Sequence, residues 1–338
     1  MPWPSLDSLV DGVRASDRAM IGRAITLVES DRETDRALAE ALLERLLPWS
    51  GKSMRIGLSG APGAGKSTLL EALGMWLIGR GHRVAVLAVD PSSIRSGGSI
   101  LGDKTRMTRL SKEERAFIRP TASRGLLGGV APHSRDAITV LEAGGFDVVF
   151  VETVGVGQSE VAVRSLVDTF IWLTVPNAGD ELQGIKRGIL EAVDIAVINK
   201  ADGNFREAAE RARAALESTF RWVTPPTEGW RVPVHITSAI EGKGIERLWE
   251  DVLAHRQFLE SNGGLERLRA SQRREALKAE LEARWLSLLR KAISKHSAYR
   301  ELEEAVALGQ IPLSQALRKV QRVERDVLGM LLREESEG

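Results

Sequence analysis

The chain has 338 residues, with 47 Lys and Arg against 46 Asp and Glu, 43% hydrophobic residues and no cysteine. A net charge of +1 lacks the basic excess of a general nucleic-acid binder. Without cysteine there is no disulfide, thiolate zinc site, iron–sulfur cluster or thiol nucleophile. The opening MPWPSLDSLVDG has no basic stretch ahead of an apolar core, and no run of 18 apolar residues occurs. Neither a signal peptide nor a membrane span is expected, and the expected location is the cytoplasm.

In chain order, residues 1–49 read as a helical extension. Leu6, Leu9, Val10 and Val13 share one face, and Ile21, Ile25 and Val28 form a second stripe. Thr34 is placed to cap a third helix, with Leu38, Leu42, Leu43, Leu46 and Leu47 on its apolar side and Pro48 as its stop. Residues 50–257 alternate short β-branched runs with helical patterns. The runs are Met54–Ser59, Arg83–Asp90, Phe146–Thr153, Phe170–Val175, Ile195–Asn199 and Val232–Thr237. Several are apolar on both faces, as parallel strands must be. The alternation predicts an α/β fold: a doubly wound, mostly parallel sheet with its ligand site at the carboxyl ends of the strands. Residues 258–338 change to charged amphipathic helix. One stripe runs through Leu281, Trp285, Leu288, Leu289, Ala292 and Ile293. A second runs through Leu313, Leu317, Val320, Val323, Val327 and Leu331. So long an apolar face favours an arm that exchanges contacts with a second copy of the chain in a homodimer.

Gly60, Ala61, Pro62, Gly63, Ala64, Gly65, Lys66 and Ser67 match G-x-x-x-x-G-K-[ST], followed by Thr68. The motif follows the strand MRIGLS and opens the helix STLLEALGMWLIG, which is the context it requires. Glycines let backbone N–H groups close round phosphate oxygens, and the helix N-terminus adds positive potential. Lys66 should reach the β and γ phosphates of a nucleotide and Ser67 a Mg²⁺ ion.

The run Ile195–Asn199 ends in Asn199-Lys200-Ala201-Asp202, an N-K-x-D motif at a strand end. The Asp202 carboxylate can accept from both N1–H and the 2-amino group of guanine. Adenine offers no such donor pair, so the motif selects GTP and GDP over adenine nucleotides. Lys200 can lie over the base, and Asn199 can tie this loop to the phosphate loop. Ser238-Ala239-Ile240, after the strand VPVHIT, can present a backbone N–H to guanine O6. Three acids stand where switch elements belong. Asp90 ends the second strand, Asp103 follows in GGSILGDKTRM, and Glu152 ends FDVVFVE. Beside a phosphate loop, such an acid binds Mg²⁺ directly or through water. The expected catalytic residues are Lys66, Asp90 and Glu152, and the expected metal residues are Ser67, Asp90, Asp103 and Glu152.

GAPGAGKST, AVDPSS, GGSILGDKTRM, IRPTASRGLLGG, VETVGVGQSE, PNAGDELQGIK and NKAD occur in this order. The series resembles the MeaB/MMAA/ArgK family of G-proteins across nearly the whole chain. The resemblance implies a GTPase chaperone of adenosylcobalamin-dependent methylmalonyl-CoA mutase, one that gates cofactor delivery and protects or rescues the mutase. The cobalamin would be handled through that client and not bound here. It also implies a homodimer built from the C-terminal helices. Switches would lie at 90–103, 152–160 and 177–186, the last with Asp180, Gln183 and Lys186 as its polar members. No Gln follows the Glu152 strand where other G-proteins position water, and Gln158 lies further on. That agrees with slow hydrolysis awaiting a partner. Arg95, Arg106, Arg109 and Arg124 are all candidates for a charge-stabilising arginine, and the sequence does not choose among them.

Rival readings fare worse. A nickel metallochaperone needs clustered soft or imidazole ligands, whereas the five histidines are scattered. A partitioning or arsenite-type ATPase carries a signature lysine where this chain has Ala61. A signal-recognition factor needs a Met-rich module, and there are six Met. A kinase linked to basic amino-acid transport, the older ArgK assignment, would use the same nucleotide motifs and remains the alternative.

Overall fold

The β-branched runs become strands with ends moved by one or two residues: β1 (Met54–Gly60), β2 (Val84–Asp90), β4 (Val148–Thr153), β5 (Thr169–Thr174), β6 (Ile195–Ile198) and β7 (Val234–Ile236). A further strand, β3 (Ala116–Ala122), was not expected from the sequence. The computed structural model describes residues 2–90, 107–122, 131–153, 160–176 and 187–321. Among these, seven strands form one sheet in the order β3-β2-β4-β1-β5-β6-β7, every neighbouring pair parallel. This bears out the doubly wound parallel sheet. β3 escapes sequence reading because Pro120 sits inside it. A proline cannot donate to a ladder, and the structure tolerates it because β3 is an edge strand.

Alternate residues of each strand feed two separate cores. Ala85, Leu87 and Val89 join Val149, Val151, Phe170 and Trp172 on one face, whereas Val84 and Val86 join Val148, Phe150 and Ile171 on the other. The first face is covered by α1 (Leu6–Arg14), α2 (Arg18–Val28), α3 (Glu33–Leu46) and α5 (Ala131–Ala143). The stripes of the N-terminal region therefore have a destination: Leu9, Val13, Ile21, Ile25 and Leu42 are fully buried in the sheet's own core. The second face is covered by α4 (Lys66–Ile78) and α9 (Ile245–Ser261), through Leu69, Leu70, Leu73 and Leu77 of α4 and Leu248 and Val252 of α9. Burying one such leucine stabilises the fold by about 2 kcal/mol. Four on one short helix hold its N-terminus against the end of β1.

Two local expectations are corrected. Thr34 does not cap α3. Arg32 occupies the N-cap without a side-chain bond, and Thr34 lies inside the first turn with its hydroxyl 3.4 Å from Asp35. The neighbouring Asp35 is the anchor, accepting from Trp3 Nε1 at 2.9 Å and Ser30 Oγ at 2.6 Å. Leu47 is exposed, because α3 ends at Leu46 and a 3₁₀ turn around Pro48 swings it outward.

The connecting helices are α6 (Glu160–Arg164), α7 (Arg187–Leu190) and α8 (Arg206–Phe220). The chain divides into two units, Met1–Arg273 and Arg274–Gly338. The second contains most of α10 (Gly264–Lys295), α11 (Ser297–Ala307) and a helical stretch at 313–321. Leu277, Leu281, Trp285 and Leu288 of α10 share one face and are all exposed. Val323, Val327 and Leu331 lie outside the described residues. Among the described residues, no helix is long and apolar enough to cross a membrane.

Candidate nucleotide site

β1 lies at the middle of the sheet, between β4 and β5, where the chain's progress along the sheet reverses. The loop leaving its carboxyl end is the G-x-x-x-x-G-K-S segment, so the motif sits at the topological switch point. Two of its glycines are required by their surroundings. Gly60 has φ +151°, and a Cβ there would stand 2.1 Å from the carbonyl oxygen of Leu173. Gly65, at φ +90°, caps α4, and a Cβ would meet the Asn199 amide at 2.6 Å. The loop is thus wedged between β5 and the N-K-x-D segment, with room for neither glycine to carry a side chain.

Lys66 opens α4 with its side chain buried, and its ammonium donates to the carbonyls of Gly60 at 2.7 Å and Ala61 at 3.1 Å. Ser67 is next on the helix, and its hydroxyl donates to Glu152 Oε1 at 2.9 Å. Glu152 comes from the carboxyl end of β4 and is buried. Its neighbour Thr153 binds the Ser59 hydroxyl of β1 at 3.0 Å, locking the two strand ends together. A hydroxyl and a carboxylate within hydrogen-bond distance at a helix N-terminus form an all-oxygen donor set of the kind hard cations prefer.

On the other side, Asn199 follows β6 and is buried. Its amide donates to the Ala64 carbonyl at 3.0 Å, and its oxygen accepts from Thr237 Oγ1 and from the Ala239 N–H, both at 3.2 Å. One side chain therefore joins the phosphate loop, the N-K-x-D loop and the Ser238-Ala239-Ile240 loop. Lys200 is held at φ +60°, a left-handed backbone that turns its exposed side chain off the strand. Asp202 accepts from Ser238 Oγ at 3.2 Å. The N–H of Ser238 is paired with the Lys243 carbonyl, and Ile240 is exposed at the loop's tip. A pocket of about 260 Å³ lies between these parts, lined by Ala61, Pro62, Gly63, Ala64, Val175, Pro176, Lys200 and Phe205.

Phe205 was missed by sequence reading. It lies three residues past Asp202, half-exposed on a 3₁₀ turn (Gly203–Phe205), opposite the phosphate loop. Its signal was an aromatic residue in a turn where nothing apolar is needed for packing. The other predicted residues divide. Thr68 is in the first turn of α4. Asp90 ends β2 at the same edge, its side chain outside the described residues. Asp103, Asp180, Gln183 and Lys186 lie outside them too, with Gln158, Arg95, Arg106 and Arg124. Arg109 is exposed, and its backbone N–H binds Glu71 at 2.8 Å.

Comparison with known proteins agrees with this geometry. The family profile described as "Methylmalonyl Co-A mutase-associated GTPase MeaB" matches residues 21–294. A protein of Mycobacterium tuberculosis named a probable GTPase is 55% identical over 268 residues, 79% of this chain and 80% of that protein. A Mus musculus protein named methylmalonic aciduria type A homolog, mitochondrial, is 46% identical over 277 residues, 79% of this chain and 67% of that one. A crystal structure described as that of an LAO/AO transport system kinase superposes with a TM-score of 0.77 at 35% identity, covering 96% of this chain and 99% of the other. The chain belongs to the MeaB family of P-loop GTPases.

Proposed function

We propose that this GTPase serves as a Mg²⁺-dependent chaperone of an adenosylcobalamin-dependent methylmalonyl-CoA mutase in the cytoplasm, gating loading of the cofactor and protecting and reactivating the enzyme. The family description and the mouse relative's name support the client. The observation that carries the nucleotide half is the three-way tie at Asn199. It holds the phosphate loop and the guanine-reading loop in one frame, so base identity and phosphate position are read together.

Each residue then has a task. The Gly60–Ser67 backbone cradles the phosphates. Lys66 exchanges its two loop carbonyls for phosphate oxygens, so its ammonium already stands inside the loop before nucleotide arrives. Ser67 and Glu152, with Asp90 and Asp103, would hold Mg²⁺; the oxygen pair of Ser67 and Glu152 fits that ion. When bound, the ion neutralises charge on the β and γ phosphates. Asp202 accepts from guanine while Lys200 and Phe205 flank the pocket. Asp180, Gln183 and Lys186 are assigned to coupling with the client. The exposed leucines and tryptophan of α10 support a homodimer arm within 258–338. The domain plan is then helices at 1–49, the G domain at 50–257 and that arm.

The test is GTP turnover with and without purified mutase. The reading requires the mutase to raise the rate, and Asp180→Ala, Gln183→Ala and Lys186→Ala to reduce the ratio of stimulated to basal rate. A mutase that neither binds nor changes the rate refutes the chaperone role. The second reading, a kinase linked to basic amino-acid transport, draws support from the name borne by the similar solved structure. It requires transfer of the γ-phosphoryl group to a protein acceptor, which labelled GTP would reveal.

A further inference from the structure

A second pocket, of about 400 Å³, opens at the opposite pole of the sheet. Arg55, near the start of β1, lines it, whereas the phosphate loop leaves the end of that strand. Its size is within the range of small-molecule sites. Its wall carries four guanidinium groups, from Arg55, Arg135, Arg269 and Arg273.

Two of these are neutralised by buried carboxylates. Arg55 forms a two-pronged pair with Glu142, Nε to Oε1 at 2.8 Å and Nη2 to Oε2 at 2.9 Å. Arg269 does the same with Asp168, at 2.8 and 2.7 Å. The other two are not matched in this way. Arg135 donates one long hydrogen bond, Nη2 to the Ser165 carbonyl at 3.4 Å, and its Nε is buried with no hydrogen-bond partner among the described residues. Burial and the adjacent Arg55 guanidinium hold its pKa below the ordinary arginine value, Asp136 opposes them, and Arg273 adds to the repulsion. Arg273 stands exposed at the rim.

The neutral side chains of the wall have already spent their donors. The Gln272 amide donates to the carbonyls of Arg164 and Val167, Thr139 to Arg135, and Ser50 to Leu47. The side-chain donors of the wall not committed to a carboxylate or a backbone carbonyl are therefore guanidinium N–H groups, those of Arg135 and Arg273 and the outer nitrogen of Arg55. A planar guanidinium fork matches an oxyanion. The acids of the wall constrain the rest of the ligand. Asp136 lies beside Arg135, and Glu44 and Glu266 are exposed at the rim. They disfavour further negative charge outside the guanidinium cluster.

We propose that this pocket binds the carboxylate or phosphate group of a small molecule through Arg135 and Arg273, the remainder of that molecule being uncharged or cationic. The site is separate from the nucleotide site and is formed by α3, β1, α5 and the first turns of α10.

The experiment uses full-length protein saturated with Mg²⁺ and a non-hydrolysable GTP analogue, so that the phosphate loop is filled. Inorganic phosphate, acetate and phosphoethanolamine are titrated while the arginine Nε–H signals are followed by NMR, with calorimetry for affinity. The Arg135 signal should shift saturably, with a dissociation constant of about 1 mM or tighter for the preferred probe. Phosphate against acetate identifies the head group, and phosphoethanolamine should bind more tightly than phosphate because of the rim acids. Arg135→Met and Arg273→Met should each weaken binding by roughly tenfold or more, the loss of one charge-assisted contact. If Arg135→Met does not fold, Arg135→Lys and Arg273→Met carry the test. Absence of saturable binding by all three probes, or equal affinity in the variants, overturns the proposal.

Discussion

Asn199→Ala removes three hydrogen bonds and leaves two backbone groups, the Ala64 carbonyl and the Ala239 N–H, without the partner they have in the native protein. Asn199 is 1% exposed, so water does not simply replace the amide. An unmet buried polar group costs about 1–3 kcal/mol. Two such groups, partly relieved by relaxation of the loops, give a loss of about 3 kcal/mol. Part of it appears as a lowered urea midpoint of the nucleotide-free protein. The rest appears in binding, because the guanine loop and phosphate loop are no longer held in one frame. A shared loss of about 3 kcal/mol predicts GDP binding weaker by roughly tenfold, that is, about 1.4 kcal/mol, with the remainder in stability. Fluorescent GDP titration and urea unfolding of the same preparations read the two halves. Asn199→Asp keeps the acceptor for Thr237 and Ala239 but sets a buried carboxylate oxygen against the Ala64 carbonyl, so it should be no milder than alanine. An alanine variant with native stability and native GDP affinity would refute the idea that this residue frames the site.

Three further outcomes rest on the same geometry. Asp202→Asn replaces an acceptor by a donor at the base. GTP should bind about tenfold more weakly or worse, and xanthosine triphosphate, which carries a carbonyl where guanine has its amino group, should recover affinity; equal native affinity for GTP and ATP would sink the guanine assignment. Lys66→Ala should abolish GTP hydrolysis while circular dichroism stays native, because the loop is shaped by Gly60, Gly65 and Asn199 rather than by the ammonium. The third outcome concerns pH. His255 is fully buried, with Nδ1 2.8 Å from Thr169 Oγ1 and Nε2 3.2 Å from Thr227 Oγ1 and 3.4 Å from Asp194. Burial lowers its pKa, Asp194 and Asp168 pull upward, and Arg164 lowers it further. The folded state thus holds His255 neutral, and the unfolded chain binds the extra proton below its ordinary value near 6.5. Stability from this group is complete above that pH and is lost as the pH falls through it, with a slope of up to about 1.4 kcal/mol per pH unit. His255→Gln should flatten the urea midpoint against pH between about pH 7 and 5.

What was legible in the sequence is what depends on local chemistry. The phosphate loop and N-K-x-D declare themselves because glycine backbones and guanine donors leave few substitutes. Both lie at strand ends because the apolar runs before them are unambiguous. The stripes of residues 6–46 were legible as helices, but their destination was not: periodicity states that a face is apolar and never which surface it covers. β3 was invisible because Pro120 removes the donor and the alternation that identify a strand, and only its edge position excuses it. Thr34 looked like a cap on composition alone. The true anchor, Asp35, is identified by Trp3, 32 residues away. Phe205 failed to stand out for the same reason, since its role comes from facing Ala61–Ala64 across space.

The arginine–carboxylate lattice at the amino ends of the strands shows why such long-range groups are present at all. Arg269 reaches from the start of α10 to Asp168 and to the carbonyls of Gly51 and Ser53, while Glu142 of α5 holds Arg55, Ser53 and the Gly51 N–H. Burial would lower the Arg269 pKa, but its hydrogen bonds to Asp168 raise it; burial would raise that of Glu142, but Arg55 lowers it. Arg269 and Glu142, one from each two-pronged pair, therefore stay charged in a desolvated place. Their net stabilisation is small, because desolvation offsets most of the attraction. What they supply is geometry: a hydrophobic contact would let the first turns of α10 slide along the sheet, whereas two-pronged pairs admit one position. The approach of α5 and α10 that this enforces also leaves Arg135 between Arg55 and Arg273 with no carboxylate bound two-pronged to it. The lattice that fixes the first turns of α10 thereby leaves the Arg135 and Arg273 guanidinium groups of the second pocket without a two-pronged carboxylate partner, so stapling of the helix and anion binding are two consequences of one arrangement.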